Sequence, residues 1–170
     1  NRDLPEIAPS YFFVDIQPGQ IDGYLARLES DEAVSRVDTA PMLRGVITEI
    51  NGVDAQQVAG DHWVARGARG LTDAAQPDAR TIITEGEWWP EDYDGPPQIS
   101  FAREEAEEIG LALGDEITFN VLGRDITATI TSFRDVDFST AGIGFVMTLN
   151  PAALQGAPHT FISTVYAEPA

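Results

Sequence analysis

The sequence predicts an α+β fold: a discontinuous ferredoxin-like lobe, β-α-β and then β-α-β, with a small mixed α/β lobe inserted between its halves. Three observations predict it. Both ends of the chain carry a strand, helix, strand pattern. The intervening stretch, roughly ninety residues and so about the size of a small lobe, has a different texture of short strands and loops rich in Gly, Asp and Pro. Near its end, residues 100–138 read as a helix feeding a β-hairpin. We place the first lobe at 1–55 and 140–170 and the inserted lobe at 56–139.

Residues 1–9 are polar, contain two prolines and read as a lead-in. Tyr11-Phe12-Phe13-Val14-Asp15-Ile16 follows as a short aromatic and β-branched strand. Pro18 opens a helix in which Ile21, Tyr24, Leu25 and Leu28 fall at i, i+3, i+4 and i+7, one apolar stripe. Asp31 and Glu32 end it. From Val34 to Ile50 the apolar residues describe a long strand region, interrupted at Pro41, and Asn51-Gly52 is a strong hairpin signal. Residues 62–65 and 81–84 read as short strands. Further on, 143–149 is a strand, Asn150-Pro151 a cap with proline at the first helical position, Gly156 a stop, and Thr160 to Tyr166 a closing strand.

Within the unit at 100–138, Ser100 is placed to cap a helix whose Ala102, Ala106 and Ile109 share a face, and Gly110 sits where a left-handed C-terminal cap is wanted. Ile117, Phe119 and Val121, then Ile126, Ala128 and Ile130 beyond a turn at Gly123, alternate with polar neighbours. That alternation predicts a hairpin with one buried face. Phe133, Val136 and Phe138 lead out of it.

Ten arginines, no lysine and 28 acidic residues give a net charge of −18 over 170 residues. A nucleic-acid partner is excluded, because nothing supplies the basic stripe that counterion release needs. An Arg-favouring genome or a saline habitat accounts for such a surface. Cysteine is absent, which rules out disulfides and thiolate chemistry. No segment approaches the about 20 apolar residues of a membrane span. The chain starts without Met and ends on a strand-like run to Pro169-Ala170, so we expect a soluble domain excised from a longer protein.

Few residues point to chemistry. His62 and His159 are the two histidines, and neither has a second ligand at metal spacing, so ordinary loop histidines are the better reading. Ser10, Ser30, Ser35, Ser100, Ser132, Ser139 and Ser163 lack the Gly-x-Ser-x-Gly elbow of acyl-transfer enzymes. The glycines form no phosphate-cradling loop, and Arg66-Gly67-Ala68-Arg69-Gly70, the one basic spot, reads as a turn with solvated arginines. Glu85, Glu87, Glu91, Asp92 and Asp94 crowd around Trp88, Trp89 and Tyr93, a mixture that sugar sites often show. The spacing fits neither an Asp-x-Asp-x-Asp-Gly calcium loop nor a carboxyl pair on rigid elements. Adjacent residues of an extended chain face opposite ways, so one Trp is core and the other exposed or at a lobe contact. Trp88, Trp89 and Tyr93 are therefore the candidate partner contact, because aromatic side chains carry much of interface energy. The reading weighed against it packs both indoles under the Pro-rich loop.

In order along the chain stand the 11–16 strand, Tyr24-Leu25-Ala26-Arg27-Leu28, Val34-x-x-Val37 with Pro41, and Ile50-Asn51-Gly52-Val53. Glu85-Gly86-Glu87-Trp88-Trp89-Pro90, Leu113-Gly114-Asp115-Glu116-Ile117, Val121-Leu122-Gly123-Arg124 and Phe145-Val146-Met147 with Pro151 follow. Together they resemble the extracytoplasmic domain of bacterial FtsX-like, or MacB-like, ABC-transporter permeases, within which the YbbP-like branch, labelled as involved in lysophospholipase biosynthesis, is most similar. Each motif is only moderately specific, and their order carries the likeness. The resemblance implies a split porter-like lobe with an inserted α/β lobe, lying between two transmembrane helices on the periplasmic side of the inner membrane. It implies a noncatalytic role without cofactor, metal or catalytic residue. A cytoplasmic ATP-binding subunit would act through transmembrane helices, and a lipid, lipoprotein or periplasmic protein would be the cargo or partner. The rival expectation is a freestanding secreted module gripping sugar or lipid with the Trp88, Trp89 and Tyr93 loop.

Overall fold

The computed structural model describes residues 11–136 and 144–167. In chain order its elements are β1 (Tyr11–Ile16), α1 (Ile21–Glu29), β2 (Val34–Ile50), β3 (Val53–Asp54), α2 (Ala55–Ala59), β4 (Ala68–Asp73), β5 (Ile83–Gly86), β6 (Gln98–Ala102), α3 (Arg103–Ile109), β7 (Glu116–Val121), β8 (Arg124–Arg134), β9 (Met147–Leu149) and β10 (Thr160–Ala167). Turns of 3-10 helix lie at Trp63–Ala65 and Pro151–Leu154. The class is α+β. The lead-in at 1–9, Ser10, Phe138, Ser139, Ile143 and Pro169-Ala170 lie outside the described residues.

The chain divides into two compact units. The first holds residues 11–42, 144 and 158–167, the second Leu43–Val136 and Phe145–Ala157. In the first, β10 lies between β1 and β2 and is antiparallel to both, so β1 and β2 run parallel with α1 as their crossover. The helix presents the predicted stripe: Ile21, Tyr24, Leu25 and Leu28 are its half-buried residues, and the rest are exposed. Tyr24 donates to Ser163 Oγ at 3.0 Å and meets the Phe13 ring edge-on at 5.7 Å. Pro41 does not interrupt β2, which is one strand of 17 residues. At Pro41 the described ladder partner is Phe161 of β10, on one side, and an edge strand tolerates a residue that cannot donate.

The second unit is a six-stranded closed barrel. Its strands pair in the ring β2, β4, β9, β6, β8, β7 and back to β2. Two of those pairings, β4 with β9 and β6 with β8, are parallel and join segments far apart in sequence. Leu43, Gly45 and Ile47 of β2 point inward, and a register shift between Ile47 and Glu49 keeps Ile50 inward as well. Ile117, Phe119, Val121, Ile126, Ala128 and Ile130 alternate into the same core, as their spacing predicts, and meet Leu71, Ile99, Phe101, Met147 and Leu149. Closure leaves none of the ring strands with an open edge.

Several sequence expectations change. The expected second strand, helix, strand unit is split: β9 and the 151–154 turn belong to the barrel, while β10 belongs with β1 and β2. Ser100 does not cap α3. It lies in β6, fully buried, and accepts from Ser132 Oγ at 2.8 Å, while Ala102 is the N-cap without a side-chain bond. Gly110 does terminate α3 in the left-handed conformation. Residues 62–65 form a 3-10 turn because the His62 ring accepts from Val64 N–H and caps it. The segment 66–70 is not a solvated turn: Ala68 starts β4, and the Arg69 guanidinium donates to Arg66 O and lies 5.3 Å from the Trp63 ring. Asn51-Gly52 forms the predicted tight turn, both residues having positive φ, and pairs Ile50 with Val53.

Candidate partner-binding surface

The Trp88, Trp89 and Tyr93 loop is built on a close approach of two strands. Gly86 ends β5 opposite Ser132 of β8 with φ of +79°, and a Cβ there would stand 2.2 Å from Thr131 O. Only glycine lets the backbone pass at that distance in that conformation. Glu87 N–H then donates to Thr131 O at 3.2 Å, and the two tryptophans that follow reach the carbonyls just beyond β4. Trp89 Nε1–H donates to Ala74 O at 2.9 Å and Trp88 Nε1–H to Ala75 O at 3.2 Å, with the rings 4.3 Å apart and tilted by 37°.

Trp89 is 3% exposed and belongs to the interior, whereas Trp88 is half-buried. Trp89 is the more buried of the two, but the opposite-face reasoning does not hold, because indoles on opposite faces of an extended chain could not stand 4.3 Å apart and bond adjacent carbonyls. The tilted stack adds what the periodicity does not contain, since the loop turns the rings toward one another. Tyr93 N–H bonds Pro90 O at 3.0 Å, its hydroxyl donates to Pro96 O at 2.6 Å, and the ring closes over Gly95. The polar handles of all three aromatics are thus satisfied, those of the two indoles by Ala74 O and Ala75 O beyond β4 and that of Tyr93 within the loop, and the Trp88 and Tyr93 rings stay half-buried. Around them Glu85, Glu87, Glu91, Asp92 and Asp94 are exposed. Among the described residues, no group of three or more His, Asp or Glu side chains is placed to hold a metal ion. Beyond Tyr93, an open groove of about 470 Å³ runs between Asp94, Pro97, Arg124, Thr127 and Gln155.

Two polar clusters were not legible in the sequence. His62 Nε2 lies 2.8 Å from Glu108 Oε1 while its Nδ1 accepts from Val64 N–H, which ties the 63–65 turn to α3. On the same helix Glu105 is buried, Oε2 has no hydrogen-bond partner among the described residues, and burial pushes its carboxyl above the usual range. Arg134 is buried and donates to Ser100 O at 2.9 Å, Thr148 Oγ1 at 3.0 Å and Phe145 O. Desolvation pulls its guanidinium down to about 10, so it stays charged at neutral pH. Partners 46 and 34 residues apart leave no local signal. His159, by contrast, is an exposed residue edge-on to Phe161.

No protein-family profile matches the chain. It is 26% identical over 163 residues to a protein of Escherichia coli (strain K12) described as an uncharacterized ABC transporter permease, YbbP. The match covers 96% of this chain but 19% of the relative, so the chain spans about a fifth of that protein's length. Over nearly its whole length, then, the chain is similar to one segment of an ABC transporter permease.

Proposed function

We propose that this chain is a noncatalytic, periplasmic domain of an FtsX-like, MacB-like ABC transporter permease in the bacterial inner membrane. It couples ATP hydrolysis by a cytoplasmic subunit to the handling of a lipid, lipoprotein or other hydrophobic cargo outside that membrane. The observation that carries this reading is the similarity to the permease over 96% of the chain. In this reading the β1, β10, β2 unit with α1 is the porter-like lobe assigned to 1–55 and 140–170, one half of a ferredoxin-like arrangement. The barrel is the inserted lobe expected at 56–139, and it also takes in residues 43–55 and 145–157.

The outer faces of Trp88 and Tyr93, with Trp89 as their floor, are the contact for a periplasmic partner. Five exposed carboxylates around them suit a partner that is basic at the contact. The test is to read the coding sequence on both sides of Asn1 and Ala170. One hydrophobic span of about 20 residues upstream and several downstream, beside a gene for an ATPase, agree with the proposal. A cleavable signal peptide upstream and no span downstream overturn it in favour of a secreted binding module.

A further inference from the structure

The barrel strands turn most of their apolar residues inward, whereas β1 buries Ile16 alone. Tyr11, Phe12, Phe13 and Val14 are 59%, 49%, 42% and 50% exposed, four consecutive apolar side chains. A strand packed on one face exposes alternate residues, so a continuous run marks a surface made for contact. The run lies on an edge strand, since β1 pairs with β10 on one side among the described residues. Tyr11 is in register with Val165, and β10 ends at Ala167. Tyr11 and Ala167 therefore stand at the same end of the sheet, where the aromatic run begins.

We propose that Tyr11, Phe12, Phe13 and Val14 form an interfacial anchor that rests the three-stranded unit on the headgroup layer of a phospholipid bilayer. The proposal rests on the permease reading, because it takes the remaining four fifths of such a protein to be membrane-bound and attached at this edge. The chemistry suits a headgroup layer, where tyrosine and other aromatic rings concentrate. It also defines the lipid. The run carries no charge before Asp15, and the chain's net charge of −18 repels an anionic surface. Zwitterionic phosphatidylcholine is therefore bound at least as well as anionic lipid, the reverse of a polybasic anchor.

The chain has no cysteine, so one introduced residue takes a unique label. Val14→Cys carries an environment-sensitive fluorophore, and a C-terminal histidine tag holds the 170-residue chain on phosphatidylcholine vesicles containing nickel-chelating lipid. The expected result is a blue shift with quenching by brominated acyl chains. The same label at Gly19→Cys, beyond the far end of β1 where an added side chain meets nothing within 4 Å, stays unchanged. Phe12→Ser with Phe13→Ser cuts the membrane-inserted fraction, by roughly three- to tenfold per ring in partition constant, since about half of each side chain is free to insert. Phe12→Ser alone, which leaves the Phe13 contact with Tyr24 in place, is the control for folding: its circular dichroism matches the parent while its inserted fraction still falls.

A silent Val14 label on vesicles overturns the proposal, as does binding that requires anionic lipid. A Val14 signal that follows protein concentration without vesicles also overturns it and assigns the run to a second copy of the chain. Hydrophobic spans beside the chain test the permease reading separately. Spans with a silent label remove the anchor alone, and no spans remove the reading beneath it.

Discussion

Gly86→Ala tests how the Trp88 and Trp89 loop is positioned. The substitution meets two obstacles of different origin. At φ of +79° an alanine carries the left-handed penalty, about 1–2 kcal/mol. In addition its Cβ would lie 2.2 Å from Thr131 O and 3.0 Å from Ser132 Cα, both backbone atoms that no rotamer change can move. β5 must withdraw from β8 by about 1 Å to restore van der Waals separation. That withdrawal breaks the Glu87 to Thr131 hydrogen bond, worth about 1 kcal/mol net.

Together these cost roughly 2–3 kcal/mol, which for a chain of this length lowers Tm by roughly 4–12 °C. Gly123→Ala is the matched control. Its φ is +84° and nothing stands within 4 Å, so it carries the backbone penalty alone, about 1–2 kcal/mol. Thermal melts followed by tryptophan emission separate the two, because the loop next to Gly86 carries the stacked indoles. Gly86→Ala melts lower than Gly123→Ala and red-shifts the native emission, while Gly123→Ala leaves the emission in place. Equal melting points, or an unchanged spectrum in Gly86→Ala, refute the close-approach reasoning.

Phe119→Ala, at the fully buried centre of the barrel, lowers stability in urea titration by about 3–5 kcal/mol, with the barrel's closed wall limiting collapse around the void. Trp89→Ala destabilises more than Trp88→Ala in the same titration, since Trp89 is 3% exposed and Trp88 half-buried, although both indoles donate to backbone carbonyls. Glu105 holds its proton more tightly folded than unfolded, because burial raises its carboxyl. Its contribution to stability is present at low pH and is lost as pH rises through the raised value. Glu105→Gln therefore raises Tm at pH 7, and the gain disappears below about pH 4, where both states carry the proton. A gain independent of pH would sink that assignment. His62→Ala removes the cap of the 63–65 turn and the link to Glu108, lowering stability by about 1 kcal/mol in urea titration.

The sequence by itself determined what local periodicity and backbone chemistry encode. Alternation at Ile117, Phe119 and Val121 and at Ile126, Ala128 and Ile130 specified a hairpin and its inward face, because a strand reverses its side chains at every residue. The stripe at Ile21, Tyr24, Leu25 and Leu28, the Asn51-Gly52 turn and the Gly110 cap were legible for the same reason. Only the tertiary structure decided the barrel. Its ring closes through the parallel pairings of β4 with β9 and β6 with β8, and no periodicity within a strand names a partner some 30 or more residues away.

Ser100 illustrates the cost of a purely local reading: a serine near a helix start looks like a cap, yet its hydroxyl is taken by Ser132 from a neighbouring strand. Within the candidate site, the backbone pattern placed the two tryptophans on opposite faces, whereas the folded loop stacks them on one side. The stack of the two rings, their bonds to Ala74 and Ala75, and the glycine that admits the loop against β8 depend on chain segments that meet only after folding.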